Sequence, residues 1–320
     1  MNDSPFSPLL NKLKEARSIS ILGHVRPDGD AYGSTLGFGL SLQEAGKKVF
    51  FFNQEGMNSP YTFLPSSELL KPTPALAPNC DLVISVDTSV EDRLGPSFMG
   101  WKRKVDFNID HHVSNTNYGV INVVVPTLPA TAALIFEIIK EANLPLSPAC
   151  AANLFVGLST DTGSFRYRGT TAHTFQTAAD LVRAGADSVE LSRRCYQAVS
   201  PQKFDLIRLA LGSTRFEKDR RLGIMELTPE MLQASGALTS DTEGLIDFLQ
   251  DVETVDLAAL FEFQDPESLK VSLRSKCSVN VSQLASEFGG GGHPAAAGIN
   301  LKGPVGPLHN KILDRLREAL

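Results

Sequence analysis

Cysteine is scarce in this 320-residue chain, and no two cysteines form a C-x-x-C pair. The four that occur are widely spaced: Cys80, Cys150, Cys195 and Cys277. This spacing provides neither a disulfide framework nor a thiolate zinc cluster. Such cysteine usage is typical of a reducing compartment, so we expect the protein to be cytoplasmic.

Long apolar runs and an excess of basic charge are also lacking. No uncharged apolar stretch approaches the roughly 20 residues that a membrane-spanning helix needs, and residues 1–17 lack the apolar core of a signal peptide. The formal net charge is -6, whereas proteins that bind duplex nucleic acid normally carry a basic stripe. We therefore expect neither a membrane nor a duplex as partner. A small anionic substrate needs only a few local cations.

The G-x-G-x-x-G pattern of nicotinamide enzymes is missing from the first predicted strand-to-helix turn. Gly33, Gly37 and Gly39 instead fall inside the helix that follows, where close helix packing explains them. This argues against a dinucleotide-binding oxidoreductase.

Short apolar runs alternate with helical patterns through the N-terminal part of the chain. This alternation predicts an α/β fold with a parallel sheet and helices on both faces. The predicted strands are 19–22, 48–52, 82–86, 105–109 and 120–125. The predicted helices are 31–45, 127–142, 148–159, 171–184 and 189–198, and residues 59–78 are predicted as loop.

The C-terminal part predicts a second, smaller α/β domain, joined by a helix at 202–211. Its predicted strands are 222–227, 258–263 and 270–274, with helices at 229–233, 241–249, 281–288 and 307–319 and a glycine-rich loop at 289–292. We expect a parallel-sheet domain over residues 1–198, a linker helix over 199–214, and the C-terminal domain over 215–320.

Polar side chains follow three of the predicted parallel strands at the point where each strand ends. The sequence Gly-His-Val-Arg-Pro-Asp-Gly-Asp, which contains His24, Asp28 and Asp30, follows the first strand. Asp87 follows the third, and Asp110-His111-His112 follows the fourth; Asp161 ends a predicted helix. The carboxyl ends of parallel strands meet at one sheet edge, where α/β proteins bind ligands.

Each of these residues also has an ordinary explanation. Asp28 and Asp30 could shape a turn and cap a helix, and adjacent histidines can be solvated. Several carboxylates at one edge would nevertheless repel one another unless a cation lay between them. The combination of imidazole and carboxylate suits manganese, zinc or iron. The sequence therefore predicts a metal site with ligands for two ions, which Asp87 is best placed to bridge.

Four motifs taken together resemble the DHH phosphoesterase superfamily. They are Gly-His-Val-Arg-Pro-Asp-Gly-Asp-Ala-Tyr-Gly-Ser, Val-Asp-Thr, Asp-His-His and Thr-Asp-Thr-Gly, in that order. In the second domain, Gly-Gly-Gly-His-Pro-Ala-Ala-Ala-Gly is similar to the DHH-associated C-terminal domain. At this length the chain resembles the NrnA branch of the superfamily, which comprises bifunctional oligoribonucleases and phosphatases of 3'-phosphoadenosine 5'-phosphate.

The resemblance implies a role for each residue of the site. Two Mn²⁺ ions are expected, with Mg²⁺ or Co²⁺ as substitutes. One ion would be held by His24, Asp28 and Asp87, and the second by Asp30, Asp87, His111 and Asp161. Asp110 would orient His111, and His112 would contact the scissile phosphate or protonate the leaving oxygen.

The resemblance also implies that the second domain binds substrate, through Arg274, Ser272, Ser275, Gly291, Gly292 and His293. Consecutive glycines let backbone N–H groups approach an anion closely, although a glycine run alone is more typical of a linker. The expected partners are short single-stranded RNA or DNA oligonucleotides and nucleoside bisphosphates. A homodimer is the oligomer that the resemblance favours.

The leading hypothesis is a manganese-dependent hydrolase of short oligoribonucleotides and of 3'-phosphoadenosine 5'-phosphate. A diesterase for linear or cyclic di-AMP would use the same site and is the alternative within the superfamily. A nucleotide sensor without catalytic activity is the alternative outside it, and the complete set of metal ligands argues against a sensor.

Overall fold

The computed structural model describes residues 4–57, 60–167, 169–197 and 199–320. Contacts divide the chain into two units, Met1–Ala198 and Val199–Leu320. Two residues that bound predicted segments, Ser59 and Ala198, lie outside the described residues. No helix in the described part of the chain is long and apolar enough to cross a bilayer.

The first unit is built on a parallel sheet of six strands in the order β3-β2-β1-β4-β5-β6. The strands are β1 Ser18–Leu22, β2 Lys48–Asn53, β3 Leu70–Pro72, β4 Leu82–Val86, β5 Phe107–Asp110 and β6 Ile121–Val124. The helices are α1 Ser7–Glu15, α2 Gly29–Glu44, α3 Pro96–Met99, α4 Thr131–Ala142, α5 Pro148–Asp161, α6 Ala172–Arg183 and α7 Ser188–Tyr196. Short 3₁₀ turns occupy Pro60–Phe63, Ser67–Leu69 and Glu91–Leu94.

Both faces of this sheet are buried, because successive residues of a strand point to opposite faces. Ile84 of β4 belongs to the large core cluster that includes α2, α4 and α5. Its neighbour Val83 belongs to a second cluster, built with Phe98 and Trp101 around the short helix α3. The predicted α/β class, with a parallel sheet and flanking helices, is confirmed.

Helices α2 and α5 approach each other so closely that only glycine fits between them. A Cβ on Gly33 would lie 2.4 Å from the carbonyl oxygen of Asn153, and a Cβ on Gly157 would lie 2.8 Å from Asp30 Oδ1. The packing role predicted for the helix glycines is confirmed for Gly33. This close approach brings the start of α2 to the end of α5.

The second unit contains a mixed sheet of six strands in the order β11-β12-β10-β9-β8-β7, in which β8 and β9 are parallel and the other pairs antiparallel. The strands are β7 Arg215–Glu217, β8 Leu222–Leu227, β9 Leu257–Asp265, β10 Ser268–Ser275, β11 Gly291–His293 and β12 Ala296–Lys302. The helices are α8 Pro201–Gly212, α9 Pro229–Ser235, α10 Asp247–Gln250, α11 Val281–Ser286 and α12 Val305–Ala319, with a 3₁₀ turn at Thr239–Thr242. Helix α8, predicted as a linker, packs Leu206 and Ala210 into a core of this unit.

Three sequence-based assignments need correction. The helix predicted at 241–249 is a 3₁₀ turn followed by α10, because Gly244, with φ of 85°, interrupts it. The glycine-rich segment ends in strand β11 rather than remaining a loop, and it forms a hairpin with β12. Strands β3 and β7 were not predicted. Both are three-residue strands at a sheet edge, too short to show an alternating pattern.

Candidate metal centre at the carboxyl edge of the parallel sheet

The candidate site lies where the strand order of the parallel sheet reverses. From β1 the chain moves to β2 on one side, whereas from β4 it moves to β5 on the other. The carboxyl ends of β1 and β4 therefore border a crevice, which is the usual ligand site of open α/β sheets. His24 follows β1, Asp87 directly follows β4, and Asp110 is the last residue of β5.

The structure brings all six predicted metal ligands together in this crevice. Three groups of side chains each have one ligand atom per residue within 4.8 Å of the others: His24, Asp28 and Asp87; Asp30, His111 and Asp161; and Asp87, His111 and His112. Asp87 and His111 each belong to two groups. The arrangement could hold more than one divalent cation.

Asp87 belongs to two of the three groups and has a strained backbone. Its φ of 55° is left-handed, which is unfavourable for a residue other than glycine, and such outliers concentrate at functional sites. Its N–H donates to Ile109 O at 3.0 Å, and Thr131 Oγ1 donates to Asp87 Oδ1 at 2.9 Å. Burial opposes ionisation of this carboxyl, but hydrogen bonding to His24 and the charge of nearby histidines hold its pKa well below the usual range.

Backbone carbonyls orient two of the histidines. His24 Nδ1 lies 2.8 Å from Val25 O, and His111 Nδ1 lies 3.2 Å from Leu128 O. When Nδ1 carries the proton and donates to the carbonyl, Nε2 keeps a lone pair for a metal. His24 Nε2 is 3.6 Å from Asp87 Oδ2, and His111 Nε2 is 3.1 Å from Asp161 Oδ2. The imidazoles therefore direct their ligand atoms toward the carboxylates.

Asp28 and Asp30 also have structural roles, as the ordinary explanation proposed. Asp28 Oδ1 caps α2 by accepting from Asp30 N–H at 3.1 Å and Ala31 N–H at 3.0 Å. Asp30 supports a different helix: its carboxylate accepts from the first two N–H groups of α4, Thr131 at 2.6 Å and Ala132 at 2.9 Å. Both residues therefore serve the fold and also contribute to the ligand groups.

The electrostatics of the donor set favour a cation. Asp30 is 1% exposed, and burial together with the charges of Asp87 and Asp161 raises its pKa well above the usual value. Burial alone would lower the pKa of His111, but hydrogen bonding to Asp161 and the charge of Asp30 raise it to about 10. A divalent ion would replace these protons and relieve the repulsion, so the residues present fit such an ion.

Asp110 orients His112, so the expectation that it orients the His111 ring is wrong. Asp110 Oδ1 accepts from His112 Nδ1 at 2.7 Å, whereas its contact with His111 is to the backbone N–H, at 2.9 Å. The reason is that the His111 ring already uses the carbonyl of Leu128. Asn115 Nδ2 donates to Asp110 Oδ2 at 2.5 Å and fixes the carboxylate from its other side.

Sequence reasoning missed several residues that support the centre. Asn115 also donates to Asn108 Oδ1 at 2.7 Å, and Asn108 Nδ2 lies 3.0 Å from Tyr118 Oη. Thr131 Oγ1 donates to Asp87 Oδ1. No spacing rule identifies these residues, because they meet the site only after the chain folds.

In the second unit, strand register places four of the predicted substrate residues on one face of the sheet. Residues directly opposite on paired strands share a face. Ser272 pairs with Gly298, which pairs with Gly291, and Arg274 pairs with Ala296, which pairs with His293. Gly292 and Ser275 occupy the alternate positions, and Ser275 is buried, with its hydroxyl 3.4 Å from Cys277 O.

Comparison with known families agrees with the fold. The family model described as "DHH family, N-terminal domain" matches residues 18–158, and the model of the DHHA1 domain matches residues 231–320. A relative from Thermus thermophilus is 32% identical over 305 residues, covering 94% of this chain and 90% of the relative. The chain belongs to the DHH family.

The relatives share a name as well as sequence. The Thermus thermophilus protein is named bifunctional oligoribonuclease and PAP phosphatase NrnA, as is a Bacillus subtilis protein that is 27% identical, covering 89% of each chain. A crystal structure of an exopolyphosphatase-related protein from Bacteroides fragilis has a TM-score of 0.88 at 23% identity, over 98% of this chain and 95% of that one, and shows the same fold. Family and relatives identify the chain as a hydrolase of phosphoester bonds.

Proposed function

We propose that the protein is a manganese-dependent phosphodiesterase and phosphatase. Its substrates are short oligoribonucleotides, which it hydrolyses to mononucleotides, and 3'-phosphoadenosine 5'-phosphate, which it converts to AMP. The names of the Thermus thermophilus and Bacillus subtilis relatives support these substrates. The net charge of -6 favours short single strands over duplexes.

The overlapping ligand groups carry this proposal. His24, Asp28 and Asp87 are assigned to one Mn²⁺ ion, and Asp30, Asp87, His111 and Asp161 to a second, with Mg²⁺ or Co²⁺ able to replace them. Asp87 is assigned as the shared ligand because it belongs both to the group that contains His24 and to the group that contains His111 and His112. When bound, two such ions supply an activated water nucleophile and neutralise charge on the phosphoryl oxygens.

His112 and Asp110 are assigned to proton transfer. Because His112 Nδ1 donates to Asp110, the other ring nitrogen is the one that we assign to an oxygen of the substrate. Burial lowers the pKa of His112, but hydrogen bonding to Asp110 and the charge of Asp87 raise it overall. A protonated His112 can donate to the leaving oxygen, which is the usual work of a general acid.

The second unit is assigned to substrate binding through Arg274, Ser272, Ser275, Gly291, Gly292 and His293. Arg274 and His293 share a sheet face, and Gly291 exposes backbone without a side chain. These groups suit a terminal phosphate, which guanidinium and backbone N–H donors bind well. Binding energy at that phosphate would position the bond to be cleaved.

The test is hydrolysis of 5'-labelled RNA from two to about 24 nucleotides by the purified full chain, with and without Mn²⁺. The same assay includes 3'-phosphoadenosine 5'-phosphate, pyrophosphate and cyclic di-AMP. Asp87→Ala serves as the inactive variant, and Asp251→Ala, which removes an exposed carboxylate of the second unit, serves as the matched control.

The proposal expects Mn²⁺-dependent cleavage that is greatest for two- to five-mers, together with release of phosphate from the bisphosphate. Both activities should disappear in Asp87→Ala and persist in Asp251→Ala. Preference for long RNA or for cyclic di-AMP would replace the proposed substrate, and turnover of none of these compounds by the metal-loaded protein would overturn the assignment.

A further inference from the structure

The segment that follows Asp161 forms a tight turn, here called the Asp161 turn and defined as residues 162–167. Gly163, Ser164 and Phe165 have left-handed φ values of 56°, 57° and 63°. The N–H groups of Arg166 and Tyr167 both donate to Thr162 O, at 2.9 and 3.0 Å. Thr162 is only one peptide unit, about 3.8 Å between Cα atoms, from Asp161. The turn therefore returns the backbone of Arg166 and Tyr167 to Thr162, the residue that follows Asp161.

The Tyr167 ring lies against the backbone at Gly163. A Cβ on Gly163 would be 2.4 Å from Cε1 and Cζ of this ring, so the ring can take its place only because residue 163 is a glycine. One side of the ring is thus supported, while the residue remains 55% exposed. A ring held in this way presents its exposed part to solvent as a preformed flat apolar surface.

Arg166 is also held at this turn, and it has no acidic partner. Its Nε donates to Gly163 O at 2.7 Å. Among the described residues, no carboxylate lies within 4.0 Å of its guanidinium. This is unexpected beside a centre that contains Asp28, Asp30 and Asp161. The terminal nitrogens of Arg166 therefore offer a cation on the turn that follows Asp161.

Tyr196, the last residue of α7, completes the group. Its hydroxyl lies 3.0 Å from Ser159 Oγ, two residues before Asp161, and the residue is 39% exposed. It is close enough to Arg166 and Tyr167 to interact with both electrostatically. Tyr196 thus contacts the last turn of α5, while Arg166 and Tyr167 contact Gly163 just beyond that turn.

We propose that Arg166, Tyr167 and Tyr196 form a nucleotide subsite, in which a base stacks on Tyr167 and Arg166 binds the adjoining phosphate. The inference rests on the proposed function, since it names where that site receives a nucleotide. Single-stranded nucleic acid is bound in general by aromatic platforms beside cations, because every base offers a π-face. One peptide unit separates the turn from Asp161, so a nucleotide whose phosphate is at the metal centre can reach it.

The experiment compares steady-state kinetics of wild type, Tyr167→Ala and Tyr167→Phe on the dinucleotide pApA. Two analogues of pApA, each lacking one base, are measured in parallel. Phe204→Ala is the matched control, because Phe204 is a 65% exposed aromatic residue of α8 in the second unit. Bound Mn²⁺ is counted in each variant to separate substrate binding from damage to Asp161.

The subsite predicts that Tyr167→Ala raises KM for pApA about five- to thirtyfold, the lower part of the range for loss of base–aromatic stacking. The kcat and the Mn²⁺ content should stay within twofold of wild type. Tyr167→Phe and Phe204→Ala should resemble wild type. One of the two analogues should be insensitive to Tyr167→Ala, and that analogue identifies the base that stacks.

Binding is followed independently with Tyr167→Trp, because the only native tryptophan, Trp101, is buried. Titration with 3'-phosphoadenosine 5'-phosphate should quench the new fluorescence, whereas Phe204→Trp should show no change. Unchanged KM in Tyr167→Ala with active wild type, or loss of Mn²⁺ from that variant, would overturn the subsite and leave the proposed function standing. Inactive wild type would instead overturn the proposed function.

Discussion

Two of the ligand groups are supported in different ways: the first is His24, Asp28 and Asp87, and the second is Asp30, His111 and Asp161. In the first group, Asp28 lies on the turn after β1, and its side chain is 54% exposed. In the second group, Asp30 is buried and accepts from the first two N–H groups of α4, Thr131 and Ala132. Asp30 thus joins α2 to α4, whereas Asp28 caps only the helix that it begins.

This difference shows that the two aspartates of one Asp-Gly-Asp segment contribute unequally to the fold: Asp30 makes tertiary hydrogen bonds, whereas Asp28 makes only local ones. Asp30 of the second group is positioned by tertiary hydrogen bonds and by the close contact of α2 with α5. The first group depends on a local turn. We therefore expect substitutions in the second group to affect folding and metal binding together, and substitutions in the first to affect mainly metal binding.

Asp87→Ala is expected to have the largest effect on activity. Asp87 belongs both to the group that contains His24 and to the group that contains His112. Activity should fall by at least about a thousandfold, as expected when electrostatic stabilisation of the reacting phosphate is lost. Metal analysis of the dialysed variant should find little bound Mn²⁺. If Asp87→Ala retains the wild-type metal content, the two groups do not share a ligand.

Asp30→Ala is expected to destabilise the metal-free protein by about 2–4 kcal/mol, since two buried N–H groups at the start of α4 lose their acceptor. Urea unfolding in the presence of a chelator measures this change. Ser34→Ala, which removes only the hydroxyl that donates to Asp30 Oδ1, is the matched control and should cost less. Equal stability of Asp30→Ala and wild type would contradict the structural role of Asp30.

Asp28→Ala is expected to lower the free energy of unfolding by about 0.5–2 kcal/mol, the usual effect of removing an N-cap. The variant should also bind Mn²⁺ more weakly at the first group, while the second group should keep its Mn²⁺ affinity. Isothermal titration with Mn²⁺ should then show one strong site instead of two. Loss of both sites in Asp28→Ala would mean that the two groups do not load independently.

The pH dependence should distinguish metal-free from metal-loaded protein. The raised pKa of His111, about 10, contributes stability that is complete below the unfolded value near 6.5 and is lost as pH rises through about 10. The raised pKa of Asp30 acts in the same direction. The Tm of chelated protein should therefore decrease from pH 7 to 9, while Mn²⁺-loaded protein should change less. A chelated protein that becomes more stable over this range would contradict these shifts.

Much of the fold was predictable because it depends on local patterns. The apolar strand Leu82–Val86 and the helix ending at Asp161 are long or strongly patterned, and their predicted positions agree closely with the structure. Strands β3 and β7 were missed because three-residue edge strands take their conformation from a neighbour. The helix predicted at 241–249 failed at Gly244, whose left-handed conformation a helical pattern does not reveal.

The sequence predicted which residues come together in the candidate site, but not all of their hydrogen-bond partners. That His24, Asp28, Asp87 and Asp161 should lie together followed from their positions at strand and helix ends. The partner of Asp110 did not follow, because a carboxylate between two adjacent histidines can serve either one. The choice depends on Leu128, whose carbonyl satisfies His111 and leaves Asp110 to His112.

The sequence by itself determined the α/β class, the order along the chain of the strands that carry the site residues, and which six side chains are the candidate metal ligands. These properties reside in residue type and in the short-range rules of strands and turns. Only the tertiary structure decided which hydrogen-bond partner each ligand has, why Asp30 is buried under α4, and that Asn115 and Thr131 support the centre. Such contacts join residues far apart in the chain, and the folded backbone alone sets their distances.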